Sequence, residues 1–260
     1  MKKILVFLLA LVMGMSVLGC SADNKSDVEY VKEKGKLVVG ITEFAPMDYK
    51  DANGKWIGFD AEMAEAFAKS LGVEAEFVLI DWDNKAFELE SKTIDVVWNG
   101  MTLTDEVKAA MDCSNPYCNN AQIVILPSDK ADKYKDVDSL KDLNFAVEAG
   151  SAGKKQAEAN GLKFTEVTTQ ADAVMEVAAG TSDGAIIDSL MAAAMVGEGT
   201  GYPNLTYTLK LNSEEYGVGF RKDSDLVEKL NKFFVDSYKD GSMVECAEKY
   251  KVNASLIEQK

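Results

Sequence analysis

The chain has 260 residues, of which 47% are hydrophobic, and its formal net charge at pH 7 is −15. This length and apolar content predict one large globular domain or two small ones. The acidic balance argues against nucleic-acid binding, because an acidic surface repels phosphates. The chain has no histidine, which excludes Ser-His and Cys-His nucleophile pairs and removes the commonest zinc ligand. We expect no metal site and no cofactor.

The N-terminus has the pattern of a secretory signal peptide. Lys2 and Lys3 precede an apolar run over residues 4–13, which is too short for an ordinary transmembrane helix. Residues 17–20, Val-Leu-Gly-Cys, resemble a bacterial lipobox. They predict that residues 1–20 are a lipoprotein signal peptide and that lipidated Cys20 anchors the protein at the extracytoplasmic face of the cell membrane. Simple secretion is the alternative.

Residues 21–35 begin with small polar side chains and are interpreted as a flexible tether. No later segment is long and apolar enough to cross a bilayer. Three cysteines remain beyond Cys20, namely Cys113, Cys118 and Cys246. We expect packed thiols, with a disulfide between Cys113 and Cys118 as the alternative.

From Lys36 onward, strand and helix patterns alternate. The predicted strands lie near residues 36–40, 74–80, 96–98, 123–126, 144–147, 164–167, 184–187 and 216–221. Helices are expected after Asp60 and Thr104, each taken as a helix cap, and over residues 84–90, 151–161, 174–178, 189–196, 226–239 and 243–250. The series predicts an α/β protein with mainly parallel, covered sheets and a second α/β unit inserted between about residues 127 and 210.

Residues 96–107 form the most informative stretch. A short apolar strand is expected to end in a polar turn carrying Asn99, Gly100 and Thr102, before the helix that Thr104 caps. Ends of strands in open α/β sheets are common ligand sites.

Several motifs occur in the order seen in one known family. They include Phe44-Ala45-Pro46-Met47, residues 54–60, Ile80-Asp81-Trp82, residues 100–104, Gly150-Ser151, Ile187-Asp188 and residues 215–220. In this order the chain resembles the extracellular amino-acid-binding proteins of ABC transporters, solute-binding family 3. The resemblance implies a two-lobed periplasmic-binding-protein-like fold of type II with two hinge crossovers. Lobe one would be residues 36–120 and 217–260, and lobe two residues 121–216 with the hinge strands.

The resemblance also implies a function. The lobes would close around an amino acid or a related small amine, and a monomeric protein would deliver it to the permease of an ABC importer. Phe44 and Trp82 match the aromatic walls of the family's site. Asn99, Gly100 and Thr102 match the segment that meets the ammonium and carboxylate. Ser151 matches a group that holds the carboxylate, and Asp188 the acid that pairs with the α-ammonium.

One position departs from the family's pattern. The family places an arginine on the ligand carboxylate where this chain has Val107, and the only arginine of the chain is Arg221. Valine cannot supply a charged bidentate donor, and neighbouring Lys108 is turned about 100° away on the helix. Glu148 is expected near the cleft and Glu43 beside Phe44. The pattern therefore favours a cationic or aromatic amine, or an amino-acid derivative with a masked or absent carboxylate. Alternatively, the helix start at Gly150-Ser151 binds a carboxylate.

Other interpretations stay open for these residues. Asp188 could be an ordinary helix cap, Glu148 a solvent-facing acid and Glu43 a rim residue. Phe44 and Trp82 could be core aromatics, as could Trp98 and Tyr117, which are additional cleft candidates. We predict a binding protein and not an enzyme. A dehydratase-like enzyme using Glu148 and a receptor module that presents the ligand to a membrane partner are the alternatives.

Overall fold

The computed structural model describes residues 25–260. The predicted signal peptide, Cys20 and the first residues of the predicted tether lie outside this range. Within it, no helix combines the length and apolar character needed to cross a membrane. Cys113, Cys118 and Cys246 are free thiols, as the packed-thiol interpretation predicted.

The described chain alternates helices and strands. The helices are α1 (Asp27–Lys34), α2 (Phe59–Leu71), α3 (Lys85–Glu90), α4 (Asp105–Ala110), α5 (Ala152–Ala159), α6 (Gln170–Ala179), α7 (Ser189–Met195), α8 (Leu226–Asp240) and α9 (Ser242–Lys249). The strands are β1 (Lys36–Ile41), β2 (Tyr49–Lys50), β3 (Trp56–Ile57), β4 (Glu74–Leu79), β5 (Val96–Thr102), β6 (Asp112–Cys113), β7 (Cys118–Asn120), β8 (Gln122–Pro127), β9 (Asn144–Glu148), β10 (Lys163–Val167), β11 (Gly184–Asp188), β12 (Leu205–Lys210) and β13 (Glu214–Phe220).

The strands form two main sheets and one small hairpin. The first sheet has the order β4-β1-β5-β13-β6, with β7 also paired to β13, and the second has the order β10-β9-β11-β8-β12. In each sheet most helix-connected neighbours are parallel, whereas β13 and β8 run antiparallel to their neighbours. We call the parts around these sheets the first and second lobes. The chain crosses between them twice, from β7 to β8 and from β12 to β13. This is the two-lobed α/β fold.

Apolar helix faces cover the first sheet. Met63 and Phe67 on α2 are buried one helical turn apart, as are Leu230 and Phe234 on α8. Trp98 of β5 packs between them, with its ring centroid 5.6 Å from that of Phe234. These contacts fix β5, which carries the predicted binding segment.

The prediction of a flexible tether over residues 21–35 is wrong for its described C-terminal part. Asp27–Lys34 is helix α1, which begins at Ser26, whose hydroxyl accepts a hydrogen bond from the Glu29 amide. Val28 and Val31 are three positions apart, so both lie on the face buried in the first lobe. Of the small polar residues that suggested a tether, Ser26 caps this helix and Asp27 is its first residue.

Two local predictions near the site are also wrong. Asn99, Gly100 and Thr102 are not in a turn: β5 continues through Thr102, because β13 pairs with it on both sides of a register shift between Gly217 and Gly219. Asp60 does not cap α2, since Gly58 holds the cap position and Asp60 lies in the first turn. Thr104 caps α4 as predicted, accepting a hydrogen bond from the Val107 amide.

Candidate ligand-binding cleft

A cavity of about 310 Å³ lies between the two lobes. The first lobe contributes residues from the end of β1, from β5 and from α3 and α4, and the second lobe contributes the ends of β9 and β11 and the start of α5. Nine of the predicted site residues line this cavity: Glu43, Phe44, Trp82, Asn99, Gly100, Thr102, Glu148, Ser151 and Asp188. The structure thus brings them together from five separate segments. Their contact with a ligand stays a prediction.

Trp98 and Tyr117 do not line the cavity, so their assignment as cleft candidates is wrong. Both are almost fully buried in the core of the first lobe. Side chains alternate across a strand, so Trp98 points away from the face used by Asn99. The Tyr117 hydroxyl donates a hydrogen bond of 2.7 Å to Asp60 Oδ2. These two aromatics support β5 from behind.

The polar groups of β5 are largely occupied by the protein itself. The Asn99 amide group donates to Asp48 Oδ2 at 2.7 Å and accepts from the Thr42 backbone and hydroxyl. The Gly100 N–H donates to Asp60 Oδ2 at 2.6 Å. The Thr102 hydroxyl donates to Glu214 Oε1 at 2.9 Å. The amide group of Asn99, the N–H of Gly100 and the hydroxyl of Thr102 are therefore already used as donors within the protein.

Gly100 is required where Phe44 closes the cavity. Its φ of +54° is a conformation that favours glycine, and an added Cβ would lie 2.2 Å from Phe44 Cε1. Phe44 also packs edge-on against Tyr216, with ring centroids 6.3 Å apart. The position of the aromatic wall therefore depends on the absence of a side chain at residue 100.

Asp188 lies at the end of β11 and its side chain makes no helix-capping hydrogen bond. Its carboxylate instead accepts from four side chains: Asn120, Gln122, Gln170 and Tyr216. Burial raises the pKa of Asp188 to about 7, nearby Glu214 acts in the same direction, and the donors oppose both. Most of the hydrogen-bonding capacity of this carboxylate is used within the protein.

Glu148, at the end of β9, differs from Asp188 because one of its carboxyl oxygens has no hydrogen-bond donor within residues 25–260. Only 3% of the residue is exposed, and its Oε1 is buried without a hydrogen-bond partner among the described residues. Burial raises its pKa from 4.5 to about 8, the Asp188 carboxylate adds to this, and the ammonium of Lys85 opposes it. Glu148 is therefore an available buried acceptor in the cavity wall, and the solvent-facing interpretation is wrong.

The other two polar candidates differ in exposure. Ser151 is buried and caps α5, its hydroxyl accepting from the Lys154 amide at 3.1 Å. Glu43 is exposed at the edge of the cavity, which agrees with its interpretation as a rim residue.

No arginine lines the cavity among the described residues. Val107 stands in the wall with Ala86, Ala110 and Met111, which makes this side of the cavity apolar. Arg221 is held elsewhere, where its guanidinium contacts Asp27 Oδ1 at 3.0 Å and the Ile94 carbonyl at 2.7 Å. How a ligand carboxylate would be held without an arginine in this lining stays a prediction.

Sequence reasoning missed Lys85, the first residue of α3. Its Nζ donates to the carbonyl oxygens of Trp82 at 3.0 Å and Gly150 at 3.1 Å, and lies 4.8 Å from the centroid of the Trp82 ring. Desolvation lowers the pKa of Lys85 to about 8, against the effect of the Glu148 and Asp83 carboxylates. The sequence around Lys85 does not indicate that it lies in the cavity, because its contact with Gly150 joins residues 65 positions apart.

The lobes touch directly around the cavity. Gly150, with φ +66°, approaches so closely that an added Cβ would lie 2.7 Å from the Asp83 Cα. Lys85 donates across the same gap to Gly150, and Lys155 of α5 pairs with Glu106 of α4. The cleft is therefore closed at this edge. Among residues 25–260, no cluster of three or more metal-ligating side chains is placed to hold an ion.

Two α/β lobes, two chain crossings and a polar and aromatic cavity between the lobes define the class of two-lobed solute-binding proteins. The chain belongs to the bacterial extracellular solute-binding proteins, family 3, whose model matches residues 37–253.

Named relatives agree with this membership. The chain is 31% identical over 250 residues to the L-cystine-binding protein TcyJ of Escherichia coli strain K12, covering 94% of this chain and 92% of the relative. It is 29% identical to the arginine-binding extracellular protein ArtP of Bacillus subtilis, covering 96% and 98%. A solved substrate-binding protein of an ABC uptake transporter from Streptococcus pneumoniae, with bound histidine, has a TM-score of 0.78 and 28% identity, covering 86% of this chain and 96% of that one.

Proposed function

We propose that this protein is the substrate-binding component of an ABC importer and encloses an amino acid or a related small amine between its lobes, without an arginine–carboxylate clamp. The observation that carries this proposal is Glu148, a buried carboxylate with an unpartnered oxygen in the wall of an interlobe cavity. A ligand ammonium or guanidinium would supply the missing donor. Phe44 and Trp82 give this cavity aromatic walls, which favour a cation or an apolar ligand part.

The ligands named for the relatives support this class. They are cystine, arginine and histidine, each of which carries an α-ammonium and further polar atoms in its side chain. In our proposal Glu148 receives a ligand nitrogen. Phe44 and Trp82 enclose the side chain, and Gly100, Thr102, Ser151 and Asp188 complete the polar lining. Binding holds the lobes closed, and the closed form is the one recognised by the permease.

A thermal-shift screen tests this proposal. A ligand that binds only the native state at 100 times its dissociation constant adds about 2.7 kcal/mol of stability. For a protein of this size that corresponds to a rise in melting temperature of about 5–10 °C. The panel contains L-arginine, L-histidine, L-cystine and the matching decarboxylated amines. Absence of a shift with every amino acid and amine would contradict the proposed function.

In the same proposal, Cys20 carries a lipid anchor that holds the binding lobes at the outer face of the membrane. The basic residues, apolar run and lipobox-like residues 17–20 support it. Cys20→Ala should move the protein from the membrane fraction to the soluble fraction, whereas Cys246→Ala, which removes a thiol of the first lobe, should leave it with the membrane. Equal membrane association of the two variants would refute the anchor.

A dehydratase-like enzyme is the second candidate. The pKa of Glu148, raised to about 8, suits a general acid or base. A solved ancestral amino-acid-binding protein described as a precursor of cyclohexadienyl dehydratase is also similar, with 32% identity and a TM-score of 0.79 over 86% of this chain and 99% of that one. Incubation with cyclic carboxylic acids would decide: product formation that is lost in Glu148→Gln would favour the enzyme over binding alone.

A further inference from the structure

The cavity contains one lysine whose charge is not paired with a carboxylate. Lys154 forms a salt bridge of 2.9 Å with Glu166, and Lys155 pairs with Glu106. No salt bridge of Lys85 occurs among the described residues; its Nζ donates to the carbonyl oxygens of Trp82 and Gly150 and lies 4.8 Å from the centroid of the Trp82 ring. A lysine ammonium has three N–H donors. One donor of Lys85 therefore remains for a group in the cavity.

This cation lies in a largely desolvated position. A charge removed from water is costly unless it is paired, and loss of water contacts moves the pKa of Lys85 down to about 8. The carbonyl groups of Trp82 and Gly150 compensate only in part. A ligand carboxylate beside Nζ would complete the set of partners with a charge-assisted hydrogen bond.

The complementary acceptor is Glu148, whose carboxyl group becomes negative when it gives up its proton. The Lys85 charge is one of the charges acting on it, the others being Asp188 and Asp172. Glu148 keeps a buried oxygen without a partner, whereas Asp188, the residue matching the family's ammonium partner, already accepts from Asn120, Gln122, Gln170 and Tyr216. An available acceptor and an available cation thus face one cavity.

We infer that Lys85 replaces the arginine missing at position 107 as the group that holds the ligand carboxylate, while Glu148 holds the ligand ammonium, so that the ligand is an α-amino acid with a free carboxylate. This inference rests on the proposed function and deepens it. It opposes the sequence-based preference for amines with a masked or absent carboxylate. The apolar wall of Ala86, Val107, Ala110 and Met111 then contacts an uncharged part of the ligand.

The test compares ligands that differ only in the carboxylate. L-arginine and L-histidine are titrated calorimetrically beside L-argininamide and L-histidinamide at about pH 6.5, where Lys85 is protonated. A hydrogen bond between charged groups is worth about 1.5–3 kcal/mol, so the unmodified protein should prefer the amino acid over its amide by about 10- to 100-fold. Binding of the amide with equal or greater affinity would overturn the inference, and this arm requires no folded variant.

The same pairs are then titrated into Lys85→Met and into the matched control Lys229→Met, which makes the same change at an exposed position of α8. Lys85→Met should reduce the preference to within about threefold, and Lys229→Met should keep it. If Lys85 only stabilises closure through Gly150, both affinities will fall in parallel and the preference will survive, which overturns the inference while leaving the proposed function intact. If neither these probes nor L-cystine nor the decarboxylated amines bind the unmodified protein, the proposed function itself fails.

Discussion

Replacing Glu148 by glutamine should stabilise the fold while weakening ligand binding. Glu148 is buried, and its pKa is raised from 4.5 to about 8. A carboxyl whose pKa is higher in the folded state binds more protons there than in the unfolded state. Stability is therefore lost as the pH rises from about 4.5 to about 8. Glutamine has nearly the same shape as glutamate and does not ionise, so the variant does not lose this stability as the pH rises.

The size of the effect follows from the pKa values. Linkage between pKa 4.5 unfolded and about 8 folded amounts to about 1 kcal/mol at pH 5 and about 3 kcal/mol at pH 7. Glu148→Gln should thus be more stable than the unmodified protein by these amounts. Asp48, Asp60 and Asp188 also have raised pKa values because of burial. Asp48 and Asp60 titrate in both proteins, so their contributions cancel in the difference, which then reports residue 148 together with its interaction with Asp188.

Urea unfolding followed by tryptophan fluorescence, at pH 5 and pH 7 and without ligand, measures this difference. Calorimetric titration with L-arginine measures the accompanying loss of affinity, which we expect to be at least about 10-fold because a charged acceptor is lost. A stability difference that does not grow between pH 5 and pH 7 would refute the reasoning. So would a destabilised variant, since it would mean that the ionised carboxylate is satisfied within the folded protein.

Three further predictions concern the same cavity. At pH 7 Glu148 is about nine-tenths protonated, so capture of a ligand ammonium should release close to one proton. Because the buffer takes up this proton, the heats of binding in phosphate and Tris buffers should differ. Equal heats in the two buffers would contradict this prediction. Gly100→Ala should lower the melting temperature and weaken binding, because its Cβ would displace Phe44. The control Gly54→Ala, at φ +80° with open space around it, should show the backbone strain but bind normally. Equal binding by both variants would refute the steric argument. Val107→Arg in a Lys85→Met background should restore about 10-fold preference for L-arginine over its amide, and an unchanged ratio would show that the wall around residue 107 no longer admits a carboxylate.

Most of the fold was predictable because its signals are local. Apolar runs and periodic helix faces marked β1, β4, β5, β8, β9, β10, β11 and β13 and helices such as α2 and α8. Strand β12 was missed because it is largely half-exposed, with Tyr207 pointing to solvent. Helix α1 was missed because its buried face consists of only Val28 and Val31.

The candidate site was predictable in outline and not in its hydrogen bonding. Resemblance to a family predicted that Phe44, Trp82 and Asp188 line one cleft, and the place of Glu148 before Gly150-Ser151 added a fourth residue; all four line the cavity. It could not indicate that partners from distant segments already occupy Asp188, or that Glu148 keeps a free acceptor, because these facts depend on long-range contacts.

Lys85 could not be recognised from the sequence as a residue of the cavity for the same reason, since its position depends on a long-range contact. In the sequence it is one lysine on a short polar helix, and only the approach of Gly150 turns it towards the cleft. The missing positive charge at Val107 therefore suggested an amine ligand, whereas the structure places the ammonium group of Lys85 in the wall of the same cavity.

A crystal structure with bound L-arginine tests the central claim most directly, namely that the cleft binds an amino acid between Lys85 and Glu148. We predict a carboxylate oxygen within about 3 Å of Lys85 Nζ and the α-ammonium within about 3 Å of Glu148 Oε1. An α-carboxylate held instead by the segment from Thr102 to Val107, with Lys85 still bound only to the Trp82 and Gly150 carbonyl groups, would contradict the account.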